Sequence, residues 1–171
     1  MGIMIHAEGA DGAARKGLAE LRKYVDELVA PTRQPTDEKR NLLYDGLLFH
    51  PAIREASEAL YKNGHYADAI FRAFVALETL VRNKSGKKDL EGRNLMAQVF
   101  TKGSPILKLN QLADESDKNE QEGFMFIFMG VMTGIRNPKA HGNVVQNDPV
   151  RTLQYLAMAD LLAQRVEESS A

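Results

Sequence analysis

An arginine and a histidine lie close together in the segment Arg136-Asn137-Pro138-Lys139-Ala140-His141. Arginine is a permanently charged planar fork that matches phosphate oxygens, and histidine transfers protons near neutral pH because its unperturbed pKa is about 6.5. The two side chains suit phosphodiester cleavage in which a ribose 2′-hydroxyl attacks the adjacent phosphorus. Arg136 would stabilise the extra charge of the transition state, and His141 would act as general base or acid. This route needs no metal ion or other cofactor.

Pro138 decides whether the two side chains can meet. On a continuous α-helix they would point about 140° apart, since each residue turns the helix by ~100°. The residue before a proline is disfavoured in the α region, so we expect Asn137 to mark a helix end or a sharp kink that turns His141 back toward Arg136. In the alternative interpretation, Arg136 is a cation at a helix C-terminus and His141 is an ordinary loop residue.

The composition is that of an ordinary globular protein. The chain has 171 residues, of which 44% are hydrophobic and 26% charged, and its formal net charge is −1. A single domain of this length can bury a sizeable core, whereas the near-neutral charge leaves only a local patch for RNA. The absence of cysteine excludes disulfides and thiolate metal sites and is compatible with a reducing cytosol.

No segment predicts a signal peptide, a membrane span or a metal site. Residues 1–11 lack a basic stretch followed by an apolar core, and the longest apolar run, residues 124–135, is shorter than the ~20 residues that cross a bilayer. The acidic residues 114–122 lack the glycine and terminal glutamate of a calcium loop, and precede a predicted helix, where they favour the macrodipole. We expect a soluble, cytoplasmic protein with no membrane contact.

Apolar residues recur at helical spacing through most of the chain, and no strand pattern competes. The predicted helices cover about residues 14–29, 51–63, 65–83, 90–100, 123–135 and 149–168. Residues 1–13 are interpreted as a leader, residues 32–40 as a loop or hinge, and the apolar segment 41–49 is ambiguous. Residues 1–40 thus form a leader and a loosely attached first helix, and residues 41–171 an all-α antiparallel bundle of four to five main helices.

Local signals predict where several helices begin and end. Pro51 and Pro149 fit first helical turns, the latter with Asp148 as N-cap. Gly64 fits the position after a helix C-terminus and joins two helices into an antiparallel hairpin. On the second of these helices, Asp68–Arg72 and Glu78–Arg82 are predicted as i,i+4 ion pairs on the outer side.

The helix predicted over residues 123–135 is apolar nearly all round, so we expect it to be the central helix of the bundle. Gly130 and Gly134 lie within it, although each costs ~1 kcal/mol in helix propensity relative to alanine. Packing is therefore expected to need them, for the close approach of either a neighbouring helix or a second subunit.

Several blocks of sequence carry a family resemblance. They are Leu48-Phe49-His50-Pro51-Ala52-Ile53; Gly64-His65-Tyr66 followed by Ala69; Phe74-Val75-Ala76-Leu77-Glu78 followed by Val81-Arg82; Gly123-Phe124 and Gly130; and Gly134-Ile135-Arg136-Asn137-Pro138-Lys139-Ala140-His141. Over about residues 42–166 the chain resembles the HEPN family, and within it the bacterial and phage-borne Ymh group. The last block is the most specific.

The resemblance implies a HEPN-like helical bundle that often dimerises, bringing two Arg-x4–6-His motifs into one cleft. Many HEPN proteins are metal-independent endoribonucleases of toxin–antitoxin, abortive-infection or CRISPR-associated defence. By this resemblance Arg136 binds the scissile phosphate, His141 transfers a proton, and Asn137 holds the geometry of the motif through side-chain hydrogen bonds.

The supporting residues keep two interpretations each. Glu78 and Arg82 either orient the motif or form an ordinary helix-surface ion pair. Lys139, Arg82 and the basic loop 84–89 either hold the substrate backbone or are solvated surface.

Three hypotheses for function follow. The first is a metal-independent endoribonuclease that acts as a homodimer on RNA, with an antitoxin or defence-system partner. The second is a non-catalytic module that binds RNA or a nucleotide in the same pocket or serves dimerisation. The third is a scaffold that dimerises through Gly130 and Gly134 and has no affinity for phosphate.

Overall fold

The computed structural model describes residues 36–140 and 145–171, with Lys139 and Ala140 described for their backbone alone. This part of the chain is all-α, as predicted. Its helices are α1 (Asp37–Leu47), α2 (Pro51–Lys62), α3 (Tyr66–Ser85), α4 (Gly92–Val99), α5 (Glu115–Val131) and α6 (Pro149–Glu168). A π-helical turn, Met132–Arg136, and a single α-helical turn, Asn137–Ala140, continue α5. The β-type pairing in the described residues is an isolated bridge between Lys108 and Ser170.

The centre of the bundle is α3, against which α2, α4 and α6 all pack. Its buried residues recur at helical spacing, as expected from the periodicity of apolar residues in the sequence: Tyr66, Ala69, Ile70, Ala73, Phe74, Leu77, Glu78 and Val81. One carboxylate, Glu78, is among them. Position 78 lies four residues after the buried Phe74 and on the same face of the helix, so the prediction that it lies on the outer side is wrong.

Helix α5 is a surface helix, so the prediction that residues 123–135 form the central helix is wrong. Its buried residues are Gln121, Phe128 and Val131, whereas Phe126 is 58% and Ile127 45% exposed. The helix also begins earlier than predicted, at Glu115, because Asp114 caps it by accepting the N–H of Asp117 at 2.9 Å. The acidic residues therefore stabilise its first turns. Apolar residues lie on all sides of α5, so its composition does not indicate which side the chain itself buries.

The N-terminal part of the described chain is more helical than predicted. Helix α1 includes residues 37–40, which were expected to be a loop, and resolves the ambiguous segment 41–49 as helical as far as Leu47. Tyr44 anchors it: the side chain is fully buried, stacks on Tyr61 with ring centroids 5.2 Å apart, and shares a hydrogen bond with Ser57 at 2.9 Å. The helix predicted over residues 14–29 lies outside the described residues, and the division at residue 40 stays a prediction.

The predicted helix ends around α2, α3 and α6 are confirmed. Gly64, with a φ of +79°, follows α2 and allows α3 to begin two residues later. Asp148 caps α6 by accepting the N–H groups of Val150 at 2.9 Å and Arg151 at 3.1 Å, with Pro149 in the first turn.

A residue distant in sequence fixes the start of α2. Asp160 on α6 is 2% exposed, and its Oδ1 accepts the backbone N–H of Phe49 at 2.9 Å and of His50 at 2.7 Å. Gln164 donates to the other oxygen at 2.5 Å. His50 is the N-cap residue of α2, and its side chain makes no capping bond. Asp160 therefore anchors the N-cap residue and the residue before it from α6.

Candidate functional site

Arg136 ends the π-helical turn that follows α5. In this turn the N–H of Asn137 donates to the carbonyl of Met132, five residues back rather than the four of an α-helix. Asn137 has a φ of −63° and a ψ of −46°, so the expectation that it leaves the α region and ends the helix is wrong. Pro138 instead lies in the first turn of a new helical segment, where its missing N–H is not needed. The irregularity comes just before the motif, and π turns of this kind are frequent at functional sites.

Three side chains surround the guanidinium of Arg136. Its Nη2 lies 3.3 Å from Oε2 of Glu78, its Nη1 donates to Oδ1 of Asn137 at 3.2 Å, and its central carbon lies 5.9 Å from the ring centroid of Phe71. A quarter of the Arg136 side chain remains exposed, at 25%. The guanidinium is therefore held in place and still reaches solvent. Asn137 thus bonds to the arginine of the motif, and its predicted role in holding the geometry of the whole motif stays a prediction.

Glu78 links Arg136 to the rest of the fold. Its side chain is 2% exposed, and Oε1 accepts hydrogen bonds from Nη2 of Arg82 and the backbone N–H of Gly92, both at 2.9 Å. The Gly92 N–H belongs to the start of α4, where a negative charge is favourable. Oε2 has Arg136 as its charged neighbour and makes no hydrogen bond in the described structure. Because Glu78 is buried between two guanidiniums, the interpretation as a helix-surface ion pair is wrong.

Arg82 makes its described hydrogen bonds to Glu78 and to the segment before α4. Besides its bond to Glu78, its Nε donates to the carbonyl of Leu90 at 3.4 Å, and 28% of the side chain is exposed. It thereby connects α3 to the segment before α4. Its predicted contact with substrate stays a prediction.

Two predicted site residues cannot be located relative to this cluster. His141 lies outside the described residues, and for Lys139 the structure describes the backbone, within the α-helical turn, and not the side chain. The roles predicted for both stay predictions.

The basic loop divides into residues with different environments. Lys84 donates to the carbonyls of Val166 at 2.8 Å and Glu167 at 2.6 Å, so it caps the C-terminus of α6, where a cation is favourable. Lys87 and Lys88 lie in the turn beyond α3. Both interpretations, contact with the substrate backbone and solvated surface, stay open for them. The segment before α4 is attached to the cluster through Gly92.

Phe71 and Gly92 are neighbours of the cluster that sequence reasoning missed. Phe71 lies two helical turns before Glu78 and therefore on the same face of α3, a spacing that could have identified it. Gly92 has a φ of +52°, which favours glycine, but nothing in the sequence links it to Glu78.

The described residues contain no group of three or more His, Asp or Glu side chains placed to hold a metal ion. None of the described helices has the length and apolar character that crossing a membrane requires.

A comparison with known proteins identifies a family. No curated protein and no solved structure matches the chain. The sequence profile of a family described as "Protein of unknown function (Hypoth_ymh)" matches residues 47–166, a stretch that includes Glu78, Arg82 and Arg136. The Ymh part of the resemblance is thereby confirmed, and the chain belongs to the Hypoth_ymh family.

Proposed function

We propose that this protein is a metal-independent endoribonuclease of the HEPN type, with a cleft shared by two copies. The observation that carries the proposal is the state of Arg136, which is fixed by Glu78 and Asn137 and still 25% exposed. A guanidinium has five N–H donors, and its two terminal nitrogens face one protein oxygen each. Donors therefore remain for the oxygens of a phosphate.

The proposed reaction balances without water or a metal ion. The 2′-hydroxyl attacks the adjacent phosphorus, and the bond from phosphorus to the 5′-oxygen of the next nucleotide breaks, leaving a 2′,3′-cyclic phosphate and a 5′-hydroxyl. One group accepts the 2′-hydroxyl proton and another gives a proton to the 5′-oxygen. The His141 side chains of two copies would take these two roles. Arg136 would stabilise the charge on the non-bridging oxygens.

The exposed face of α5 supports the shared cleft. Phe126 and Ile127 are 58% and 45% exposed, and Gly130 and Gly134 lie on the surface beside them. A Cβ at either glycine would meet no described atom within 4 Å, so no described helix of the same chain needs them small. This side of α5 is therefore uncovered by the described chain, and the helix continues from it to Arg136.

A two-fold axis that passes close to Gly134 would bring the two motifs together. Gly130 lies in the last turn of α5 and Gly134 in the π-helical turn that ends at Arg136, and the absence of a side chain at both positions leaves room for a second helix. In the proposed dimer the two copies therefore cross at these glycines, which places the Arg136 of each copy near the axis.

The test is RNA cleavage in EDTA by the purified full chain. We expect 2′,3′-cyclic phosphate ends, and a loss of at least about a hundredfold in rate for Arg136→Ala and His141→Ala. Arg151→Ala and His65→Ala, at exposed positions outside the cluster, are the matched controls and should cleave like wild type. The proposal is abandoned if a broad set of RNAs stays intact, or if the motif variants match the controls.

A second function, binding of RNA or a nucleotide without cleavage, is favoured by one feature. The buried carboxylate of Glu78 neutralises part of the charge that Arg136 offers to another anion. Intact RNA recovered from a complex that Arg136→Ala abolishes would support this function over the first. A dimer without affinity for phosphate would support the scaffold hypothesis instead.

The biological role proposed with the nuclease is prokaryotic defence or toxin–antitoxin activity. It rests on the HEPN resemblance. Expression of the wild-type chain should arrest bacterial growth, whereas expression of Arg136→Ala should not; equal growth would contradict this role.

A further inference from the structure

Phe71 is an aromatic side chain that the fold does not use for its core. It is partly exposed on α3. Among the described residues, neither the buried core nor the partly buried hydrophobic residues packed against it include Phe71. A large apolar ring in this position lacks part of the stabilisation that full burial would give, and part of its surface stays accessible.

Two arginines lie near the Phe71 ring. The guanidinium carbon of Arg136 lies 5.9 Å from the ring centroid, and that of Arg72 lies 5.8 Å from it. Arg72 is exposed, and the ion pair predicted between it and Asp68 is absent from the described structure, so it has no carboxylate partner there. The ring therefore has two guanidiniums near it, one held by Glu78 and Asn137 and one without a carboxylate partner among the described residues.

We infer that Phe71 and Arg72 form a subsite for an unpaired nucleobase beside Arg136, so that the site takes single-stranded RNA; this rests on the proposed function. A base stacks on the Phe71 ring, Arg136 holds the neighbouring phosphate, and Arg72 contacts the base face or the backbone. Aromatic rings interleaved with cations are the usual platform for single-stranded nucleic acid. In a duplex the base faces are already stacked on each other, so a duplex cannot use the ring.

The position of the ring ties base recognition to the motif. Arg136 contacts both Phe71 and Glu78, which lie two turns apart on one face of α3. A strand held by its phosphate at Arg136 thus has an aromatic surface on one side and the Glu78–Arg82 pair on the other. Phosphate contacts alone would not distinguish unpaired from paired RNA.

The test measures binding of fluorescent 2′-O-methyl oligonucleotides, whose blocked 2′-oxygen prevents cleavage. Three probes are compared: a single strand, the same strand with abasic residues, and its duplex. Wild type should bind the intact strand roughly five- to a hundredfold more tightly than the abasic strand. Phe71→Leu should lose this preference and bind the abasic strand like wild type, whereas Phe71→Tyr should keep it because the ring face remains.

Phe49→Leu is the matched control. Phe49 is 68% exposed and lies just before α2, outside the cluster. Arg72→Gln should weaken binding of the intact strand by a smaller factor. The inference is overturned if wild type binds intact and abasic strands equally, if Phe71→Leu weakens both to the same extent, or if Phe71→Leu changes only the oligomeric state.

Failure of the inference and failure of the proposed function give different results. Base-dependent binding without cleavage of ordinary RNA would remove the nuclease and keep the subsite. Cleavage that Phe71→Leu leaves unchanged, with no base preference in wild type, would keep the nuclease and remove the subsite. A protein that binds none of the three probes and leaves ordinary RNA intact would overturn both.

Discussion

Glu78 on α3 and Asp160 on α6 are both 2% exposed, and each accepts a backbone N–H from the start of a different helix. Their remaining contacts differ. Asp160 bonds otherwise to the neutral amide of Gln164, whereas Glu78 faces the guanidiniums of Arg82 and Arg136. Accepting N–H groups at the start of a helix needs a side-chain oxygen but no arginine. The difference indicates that Asp160 serves the fold alone, whereas Glu78 also holds a surface cation in position.

Neutralising Glu78 should have the largest effect. In Glu78→Gln the side chain can still accept the Gly92 N–H, but two guanidiniums lose their counter-charge. We expect a loss of about 1–3 kcal/mol in the free energy of unfolding and, because Arg136 is released, cleavage slower by roughly ten- to a hundredfold. Denaturant unfolding and single-turnover cleavage measure the two quantities. An unchanged cleavage rate would show that Glu78 only stabilises the fold.

The same isosteric change at Asp160 should affect stability alone. Asp160→Asn keeps an oxygen for the N–H groups of Phe49 and His50 but removes the charge that strengthens both bonds. We expect a loss of about 1–2 kcal/mol in the free energy of unfolding, measured by denaturant titration, and no change in cleavage or RNA binding per folded molecule. Reduced cleavage at full folding would remove the distinction between the two carboxylates.

Lys84 extends the comparison to a cation that caps a helix. Lys84→Met keeps the aliphatic stem but loses the contacts with the Val166 and Glu167 carbonyls. The expected loss is about 0.3–1 kcal/mol, seen as a small fall in the denaturation midpoint, and RNA affinity should not change. A clear loss of affinity would instead assign Lys84 to the substrate patch. The matched control is Lys88→Met, at an exposed position in the same loop.

Asp45 tests whether an arginine partner matters at the surface. Its side chain is 48% exposed, and the hydrogen bond from Arg54 at 2.8 Å lowers the pKa of its carboxyl below the usual value. A lowered folded-state pKa stabilises the protein above the unfolded pKa of about 3.9, and this contribution is lost as the pH falls through the folded pKa. The difference in unfolding free energy between wild type and Asp45→Asn should therefore be small, present at neutral pH and absent in strong acid. A difference that grows on acidification would contradict it.

The sequence predicted what local signals decide. The buried apolar face of α3 follows from helical periodicity. The start of α2 follows from Pro51, and the start of α6 follows from Asp148 with Pro149. Each of these depends on residues within a few positions of each other. The hydrogen bond from the His50 N–H to Asp160 joins residues 110 positions apart, and no pattern in one sequence reports such a contact.

The errors at the candidate site have separate physical causes. The periodicity of α3 places position 78 on the buried face. The prediction of an outer position followed the charge of glutamate instead of this periodicity and was wrong. The proline rule predicted a break at Asn137, whereas the backbone absorbs Pro138 through a wider turn before it. Apolar residues around α5 predicted burial within the chain, but composition does not distinguish that from a surface left for a partner.

Single-turnover cleavage rates of Glu78→Gln and Asp160→Asn, measured beside wild type under conditions where all three proteins are fully folded, separate a carboxylate that positions Arg136 from one that serves the fold alone. We expect Glu78→Gln to cleave RNA at least about tenfold more slowly and Asp160→Asn to cleave at the wild-type rate. Equal rates for the two variants would contradict this expectation, because the buried carboxylate beside Arg136 would then differ in no functional way from one that only anchors the start of a helix.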